Sequence, residues 1–326
     1  MQRPPILITW PDYDADGPET GRRLTSAGLS LRFAPRREDR SADAMIELLD
    51  GVAGAIVSTD NFDHEVLRRS RALRVIARVG VGTDSIDVEA ATRLGVAVCT
   101  TPGANESSTA DHAVGLMLAA LRRIPEHDRA VRAGGWLRTG DATPWELSGA
   151  TIGLVGYGAI GRLVHRRLDG FRVQVLVSDP DARAHDGVRL VALPELLSRS
   201  DVVSLHLPLT SGTANLIDAE RLALMRPDAV LVNTARGGLV DERALVEALE
   251  RRRLRAAALD VFEVEPPAHP RLLALPNVVL TPHVGGVSER SVAEMTRRAT
   301  DAVLDVLAGR MPEGLVDPRA LQVQSA

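Results

Sequence analysis

Short aliphatic runs alternate with helical segments along most of the chain. In the first hundred residues the runs lie at 6–9, 29–33, 54–57, 74–77 and 96–98, and the segments 42–49 and 65–69 between them carry apolar residues at helical spacing. Strands that are apolar at successive positions are typical of a parallel sheet covered by helices on both faces. The pattern therefore predicts a compact α/β domain at the start of the chain.

A second alternating region follows a long apolar helix. The segment 104–123 is apolar on nearly every side from Ala113 onward, which favours a buried helix. Beyond it, strands are predicted at 152–155, 173–177, 202–205, 229–232, 255–259 and 277–280, with helices at 193–198, 219–224 and 241–250. A last helix at 288–308 would carry the chain back to the first domain. We therefore expect two doubly wound parallel-sheet domains, the second inserted in sequence into the first.

A glycine turn stands between the strand at 152–155 and the helix after it. Gly156 permits a tight turn, Gly158 allows close approach of a pyrophosphate, and Gly161 lets the helix pack closely on the sheet. The amino end of that helix offers unpaired amides and a positive dipole end to phosphates. Together these features predict a dinucleotide site.

Asp179 ends the next strand, at the position where a carboxylate accepts hydrogen bonds from the two hydroxyls of an adenosine ribose. A carboxylate repels a 2'-phosphate, and Arg183 is the first arginine after it. The sequence therefore favours NAD over NADP.

Composition and charge exclude several classes of function. The profile of 45% hydrophobic and 25% charged residues is that of a globular protein. The net charge of -4 gives no electrostatic footprint for nucleic acid. Cys99 is the only cysteine, which excludes an internal disulfide or cysteine-based zinc site, and we expect no metal. The longest apolar run, 113–121, is too short to cross a bilayer, so a cytoplasmic enzyme is expected.

Three polar stretches follow strands of the second domain, where ligands bind in open α/β sheets. Arg236 could grip a carboxylate with two hydrogen bonds, Glu265 is held in an extended segment before two prolines, and His283 could exchange protons near neutral pH. Each has an ordinary alternative: a surface arginine, a loop carboxylate or a structural histidine.

These stretches resemble the D-isomer-specific 2-hydroxyacid dehydrogenase family. The resemblance covers nearly the whole chain and rests on seven motifs: GYGAIG from Gly156, LHLPLT from Leu205, VNTARGGLVDERAL from Val232, LDVFEVEPP from Leu259, TPHVGG from Thr281, ARVGVGTDSID from Ala77 and TTPGAN from Thr100. It implies a Rossmann NAD-binding domain at 102–289, inserted into a flavodoxin-like substrate domain formed by 1–101 and 290–326. The motifs are most similar to the phosphoglycerate dehydrogenase-like and hydroxypyruvate/glyoxylate reductase branches.

The resemblance also implies a reaction and its residues. His283 would protonate the oxygen of a 2-oxo acid while the nicotinamide delivers hydride, Glu265 would pair with its imidazole, and Arg236 would hold the substrate carboxylate. The substrate would also contact Arg78, Val79, Gly80 and Asn105. The NAD groove would be lined by Thr109, Gly156, Tyr157, Gly158, Ala159, Ile160, Asp179, His206, Pro208, Thr213, Thr234, Ala235, Arg236, Asp260, His283 and Gly285.

The substrate is less defined than the family. A glutamine replaces Glu265 in the formate-oxidising branch, which disfavours formate. The phosphoglycerate branch usually has an arginine at the position of Ser58, and serine cannot neutralise a phosphate. Hydroxypyruvate or glyoxylate and 3-phosphoglycerate therefore remain the candidates.

Two further expectations follow from the resemblance. Family members are commonly homodimers, with the helix from Ala104 and the loop around Trp136 at the interface. A corepressor-like protein that senses NAD on the same fold is the alternative function, and turnover of 2-oxo acids would separate it from an enzyme.

Overall fold

The computed structural model describes residues 4–35, 40–140, 143–183 and 188–324. The chain divides into two compact units. The split unit comprises Met1–Asn105 and Ser288–Ala326, and the continuous unit comprises Glu106–Val287.

The strands belong to two sheets. In chain order they are β1 (Pro5–Ile8), β2 (Ser30–Phe33), β3 (Gly54–Val57), β4 (Val75–Arg78), β5 (Ala97–Cys99), β6 (Thr151–Val155), β7 (Gln174–Ser178), β8 (Arg189–Leu190), β9 (Val202–Leu205), β10 (Val230–Asn233), β11 (Ala256–Leu259) and β12 (Val278–Leu280).

The helices alternate with these strands. They are α1 (Gly21–Ser26), α2 (Ala42–Leu48), α3 (His64–Arg69), α4 (Val88–Arg93), α5 (Glu106–Leu121), α6 (Ile124–Arg132), α7 (Ala159–Leu168), α8 (Leu193–Arg199), α9 (Ala219–Leu224), α10 (Glu242–Glu250), α11 (Pro270–Ala274), α12 (Glu289–Leu307) and α13 (Arg319–Gln324).

The split unit contains a five-stranded sheet in the order β2-β1-β3-β4-β5, and every named pair in it is parallel. This is the strand order of flavodoxin-like folds. Along α12, Met295, Ala299 and Val303 recur at a spacing of four and are buried in the core of this unit. Full burial of side chains the size of Met295 and Val303 contributes about 1.5–3 kcal/mol each, which explains why a helix from the end of the chain completes this unit.

The continuous unit contains a seven-stranded sheet in the order β12-β11-β10-β9-β6-β7-β8, again parallel in each named pair. Counted from β6, this is the Rossmann order. Every residue of β9, β10 and β11 is buried, as expected for strands covered on both faces. The predicted fold class of two doubly wound parallel sheets is confirmed.

The structure adds elements that the pattern did not predict. A left-handed residue, Arg123, with φ of 53°, ends the long helix region, and α6 starts directly after it with Pro125 in its first turn. Proline is favoured there because the amide it lacks has no helical partner. The two-residue strand β8 and the terminal helix α13 were also missed, because both are too short to show a period.

No helix in the described ranges combines the length and the apolar character needed to span a membrane.

Candidate active site

The neighbouring strands β6 and β9 mark the point where the strand order of the continuous unit reverses direction. Ligands of open α/β sheets bind beyond the carboxyl ends of the strands at such a point. Gly156 directly follows β6 and His206 directly follows β9. The predicted dinucleotide motif therefore lies where the topology places a ligand.

The backbone around the glycine turn is too close-packed for larger residues. Gly156 has φ of +93°, and a Cβ there would lie 2.4 Å from the carbonyl oxygen of His206. A Cβ at Gly161 would lie 2.4 Å from the carbonyl oxygen of Gly156. At Gly158, by contrast, a Cβ would meet no atom within 4 Å, so open space lies beside the first turn of α7. This arrangement fits a pyrophosphate at the helix amino end.

The Asp179 carboxylate is fixed by backbone amides beyond the end of β7. It accepts hydrogen bonds from the amides of Tyr157 at 2.6 Å, Asp181 at 2.7 Å and Ala182 at 3.1 Å. Each carboxylate oxygen has capacity for further donors. The position and chemistry fit the two hydroxyls of a ribose.

Buried polar atoms without partners among the described residues lie just after β9 and β10, at the same carboxyl edge of the sheet. Both ring nitrogens of His206 are shielded from solvent and have no hydrogen-bond partner among the described residues, and the same holds for the Thr234 hydroxyl. Burial lowers the pKa of His206 to about 4, so its imidazole is neutral at pH 7. Unsatisfied buried groups are costly, and a polar cofactor in this groove would supply partners.

Pro208 and Thr213 belong to one turn after β9. The Thr213 hydroxyl donates to the Pro208 carbonyl at 2.8 Å and accepts from the Thr210 amide at 2.7 Å. Thr109, on the first turn of α5, is 7% exposed.

Arg236 lies on a loop after β10 that Asn233 organises. Asn233 is 1% exposed, its side-chain amide donates to the Arg236 carbonyl at 2.8 Å, and its side-chain oxygen accepts from the Ala235 amide at 3.0 Å. Gly237 follows, and a Cβ there would lie 1.9 Å from the carbonyl of Phe262. The loop carrying Arg236 is therefore packed directly against the segment that leads to Glu265.

His283 and Glu265 form a direct pair. The imidazole Nδ1 lies 2.7 Å from Oε2 of Glu265, and Oε1 of the same carboxylate accepts from the Phe262 amide at 3.2 Å. The two side chains are 39% and 36% exposed, so the pair faces an accessible surface. When Nδ1 donates to the carboxylate, Nε2 is left for a proton exchange with a ligand.

Asp260 is the buried centre of the loop that carries His283. The carboxylate is 1% exposed and accepts from the Thr281 hydroxyl at 2.6 Å and from the amides of Val284 at 2.9 Å and Gly285 at 2.8 Å. Burial raises the pKa of this carboxyl. The hydrogen bonds that it accepts, led by those from His112 and Thr281, together lower the pKa by more, so it lies below its ordinary value. Asp260 is therefore a fixed anion at neutral pH.

The predicted substrate residues belong to the split unit. The Val79 amide donates to Val57 at 2.7 Å, the Gly80 amide donates to the Thr101 hydroxyl at 3.0 Å, and the Arg78 guanidinium donates to the Val79 carbonyl at 2.9 Å. Arg78 ends β4, and Val79 and Gly80 follow it at the carboxyl edge of the sheet. Asn105 directly precedes α5.

Sequence reasoning missed residues that hold the others in place. Asn233, Ser108 and His112 have no catalytic motif of their own, and their role appears only through contacts across the fold. Asn233 lies within the polar stretch that carries Arg236, so a polar residue at the end of a buried strand was the available signal.

A separate cavity of about 620 Å³ lies in the continuous unit, at the amino ends of β10, β11 and β12. Arg255, Ala256, Asn277 and Val278 are among its lining residues. It is at the opposite edge of the sheet from the glycine turn and is distinct from the candidate site. Among the described residues, no group of three or more His, Cys, Asp or Glu side chains could hold a metal ion.

Comparison with known proteins identifies a family. Residues 114–285 match the model of the D-isomer specific 2-hydroxyacid dehydrogenase NAD binding domain. The chain is 36% identical over 318 residues to a glyoxylate reductase of Pyrococcus furiosus, covering 94% of this chain and 95% of that protein. It is 41% identical over 280 residues to a D-3-phosphoglycerate dehydrogenase of Methanocaldococcus jannaschii, covering 83% of this chain but only 53% of that protein.

A solved structure of a related reductase is also similar to this chain. An NADPH-dependent glyoxylate/hydroxypyruvate reductase from Sinorhizobium meliloti, in complex with NADP and malonate, superposes with a TM-score of 0.83 at 31% identity, covering 98% of each chain. The chain thus spans about half the length of the phosphoglycerate dehydrogenase and nearly all of the two reductases. By sequence and by fold, the chain belongs to the D-isomer-specific 2-hydroxyacid dehydrogenase family.

Proposed function

We propose that this protein interconverts a 2-oxo acid and a D-2-hydroxy acid with NAD. The observation that carries the proposal is the 2.7 Å contact between His283 Nδ1 and Glu265 Oε2. A protein that only sensed NAD would need the glycine turn but no imidazole held by a carboxylate. The pair therefore favours an enzyme over a binding protein.

The residues divide the work in the direction of reduction. When bound, NADH would supply a hydride to the carbonyl carbon. His283 donates the Nε2 proton to the carbonyl oxygen, and Glu265 stabilises the imidazolium before this transfer. Arg236 binds the substrate carboxylate through its planar guanidinium, which also draws charge towards the developing alkoxide. In oxidation the same groups act in reverse.

We propose NAD as the cofactor, with Asp179 as the residue that selects it. The carboxylate repels the 2'-phosphate of NADP, and three backbone amides hold it in place. The Sinorhizobium meliloti reductase, in contrast, is named for NADPH.

We propose that the substrate is unphosphorylated, such as glyoxylate or hydroxypyruvate. Ser58 follows β3 and carries no charge. An arginine nearby in the fold, Arg40, is already neutralised, since its Nη1 lies 2.8 Å from the buried carboxylate of Asp60 and its Nη2 donates to the Ala34 carbonyl. A phosphate at the far end of a substrate would lack this cation.

A kinetic panel with NADH tests these proposals together. The wild type should reduce glyoxylate or hydroxypyruvate with higher kcat/KM than 3-phosphohydroxypyruvate or phenylpyruvate, and should prefer NADH to NADPH. His283→Ala should lower kcat about a hundredfold or more, because acid–base catalysis contributes on that scale, while the Kd of NADH changes less than threefold.

The exposed His64 on α3 provides the control, and His64→Ala should turn over like the wild type. Absence of turnover with every acid, while NADH still binds, would favour the NAD-sensing alternative.

We also propose a homodimer acting in the cytoplasm. Four large apolar side chains are exposed within one short stretch: Ile124 at 53%, Val131 at 55%, Trp136 at 75% and Leu137 at 48%. A concentrated exposed apolar surface marks an interaction site, and a second copy of the chain is the proposed partner.

A further inference from the structure

Helix α5 is fastened to the loop that carries His283 by two side chains on one face. The Ser108 hydroxyl donates to the Gly285 carbonyl at 2.8 Å. Four residues later, His112 Nε2 lies 2.9 Å from the Thr281 hydroxyl oxygen and 3.3 Å from Oδ1 of Asp260. Residues four apart lie on the same helix face, so this face of α5 contacts both ends of the segment 281–285.

The direction of these hydrogen bonds fixes the tautomer of His112. The Thr281 hydroxyl has one hydrogen, and it is donated to Oδ1 of Asp260 at 2.6 Å. The hydroxyl oxygen can then only accept from His112, so Nε2 of His112 must carry a proton. His112 is therefore a donor towards Thr281 and Asp260 rather than an acceptor.

The loop held in this way has an unusual backbone. His283 has φ of +54°, a left-handed conformation that residues other than glycine rarely adopt. Its amide donates to the Asp260 carbonyl at 2.8 Å, and the next two amides donate to the Asp260 carboxylate. Such a conformation persists only where the surroundings impose it, and Asp260 is the residue that imposes it.

The packing at Gly285 shows how closely His112 fits. A Cβ at Gly285 would lie 2.9 Å from Oδ2 of Asp260 and 3.3 Å from Cδ2 of His112. The imidazole ring and the buried carboxylate therefore lie together beside Gly285. Movement of His112 would release the hydroxyl of Thr281.

We propose that His112 is a positioning residue for catalysis: its Nε2–H clamps Thr281 and Asp260, and thereby holds His283 in the left-handed conformation that directs its imidazole towards Glu265. This inference rests on the proposed function, in which His283 transfers the proton. His112 takes no part in the proton transfer itself. It acts through Asp260 and the loop.

Two substitutions separate the donor from the bulk of the side chain. His112→Leu keeps a side chain of similar size but replaces the imidazole with an apolar group that has no N–H. His112→Gln places an amide N–H near the position of Nε2. We expect His112→Leu to lower kcat at least tenfold with less than a threefold change in the Kd of NADH. His112→Gln should recover half or more of the wild-type kcat.

Ser108→Ala removes the second fastening alone and should lower kcat less than His112→Leu does. Thermal unfolding midpoints identify variants that fail to fold, and His64→Leu serves as a histidine-to-leucine control on an exposed site. A kcat for folded His112→Leu within twofold of the wild type would overturn the proposal. Equal impairment of the Leu and Gln variants would also overturn it.

A spectroscopic arm keeps the inference separate from the proposed function. In 15N spectra of the wild type, Nε2 of His112 should carry a proton. A His112 imidazole without a proton on Nε2 would contradict the proposed clamp even if the enzyme is active. If the clamp is correct, the nitrogen signals of His283 should shift in His112→Leu and stay near those of the wild type in His112→Gln. A wild type with these signals and a protonated Nε2 of His112, but without turnover of any 2-oxo acid, would contradict the proposed function and leave the clamp supported.

Discussion

His206 shows how one partly buried side chain in the proposed cofactor groove makes stability depend on pH. Its folded-state pKa of about 4 lies below the ordinary value near 6.5, so the unfolded chain binds more protons between these two pH values. The contribution of His206 to stability is therefore fully present above about pH 6.5 and is lost as the pH falls towards 4. Linkage gives an upper bound of about 3 kcal/mol, and partial exposure of the residue reduces it.

Replacement of this histidine tests that dependence. In His206→Gln, the free energy of unfolding should fall less steeply than in the wild type between pH 6.5 and 4.5. Urea unfolding at several pH values measures both slopes. Identical slopes would show that His206 keeps its ordinary pKa in the folded protein. Above pH 7 the difference between the two proteins should not depend on pH.

The role of a single residue can be predicted from the sequence when that role depends on the chemistry of its own side chain. Residue type and position predict His283 as an acid–base candidate and Glu265 as a rigidly held carboxylate, and the structure brings them to 2.7 Å. His112 gave no such signal, because one histidine within an apolar helix has the same pattern whether it packs or donates. Its contacts with Thr281 and Asp260 join positions more than a hundred residues apart, a separation that spacing alone does not reveal.

Among the elements, α12 depends on its first turn. Ser288 accepts from the Ser291 amide at 3.2 Å, and the Ser291 hydroxyl accepts from the Ser288 amide at 2.8 Å, which forms a capping box. Ser288→Ala should lower the free energy of unfolding by about 1 kcal/mol. Urea unfolding measures the change, and Ser211→Ala at an exposed loop position should have almost no effect. If Ser288→Ala lowers the free energy of unfolding no more than Ser211→Ala does, the capping hydrogen bonds do not stabilise the folded protein.

The elements also show which sequence patterns are sufficient. Fully apolar runs predicted the buried strands β9, β10 and β11 because both faces of a parallel sheet exclude water. Element ends were less certain: the predicted helix 104–123 is Glu106–Leu121, since a turn with Gly103 at φ of +82° precedes it and left-handed Arg123 follows it. The positions of such turns are set by backbone dihedral angles, which the spacing of hydrophobic residues does not reveal.

For the whole molecule, the exposed stretch around Trp136 predicts the oligomeric state. At micromolar concentration the wild type should sediment as a dimer, because burying Trp136 and its apolar neighbours against a second copy removes them from water. Trp136→Ser should shift the equilibrium towards monomer by at least tenfold in Kd. Leu94→Ser, at a site 44% exposed in the split unit, should leave the mass unchanged. A monomeric wild type would contradict the proposal.

The bond between Ser108 and Gly285 has a consequence for how such a chain can arise. It joins residues near the first and last positions of the continuous unit, Glu106–Val287, so the two ends of that unit lie close together. A segment whose ends meet can be inserted into a host fold while opening it at one point, and the host needs only a short bridge when the segment is absent. The entropic cost of closing a connection grows only slowly with the length of chain between its ends. An entire seven-stranded domain can therefore occupy the place of a surface loop.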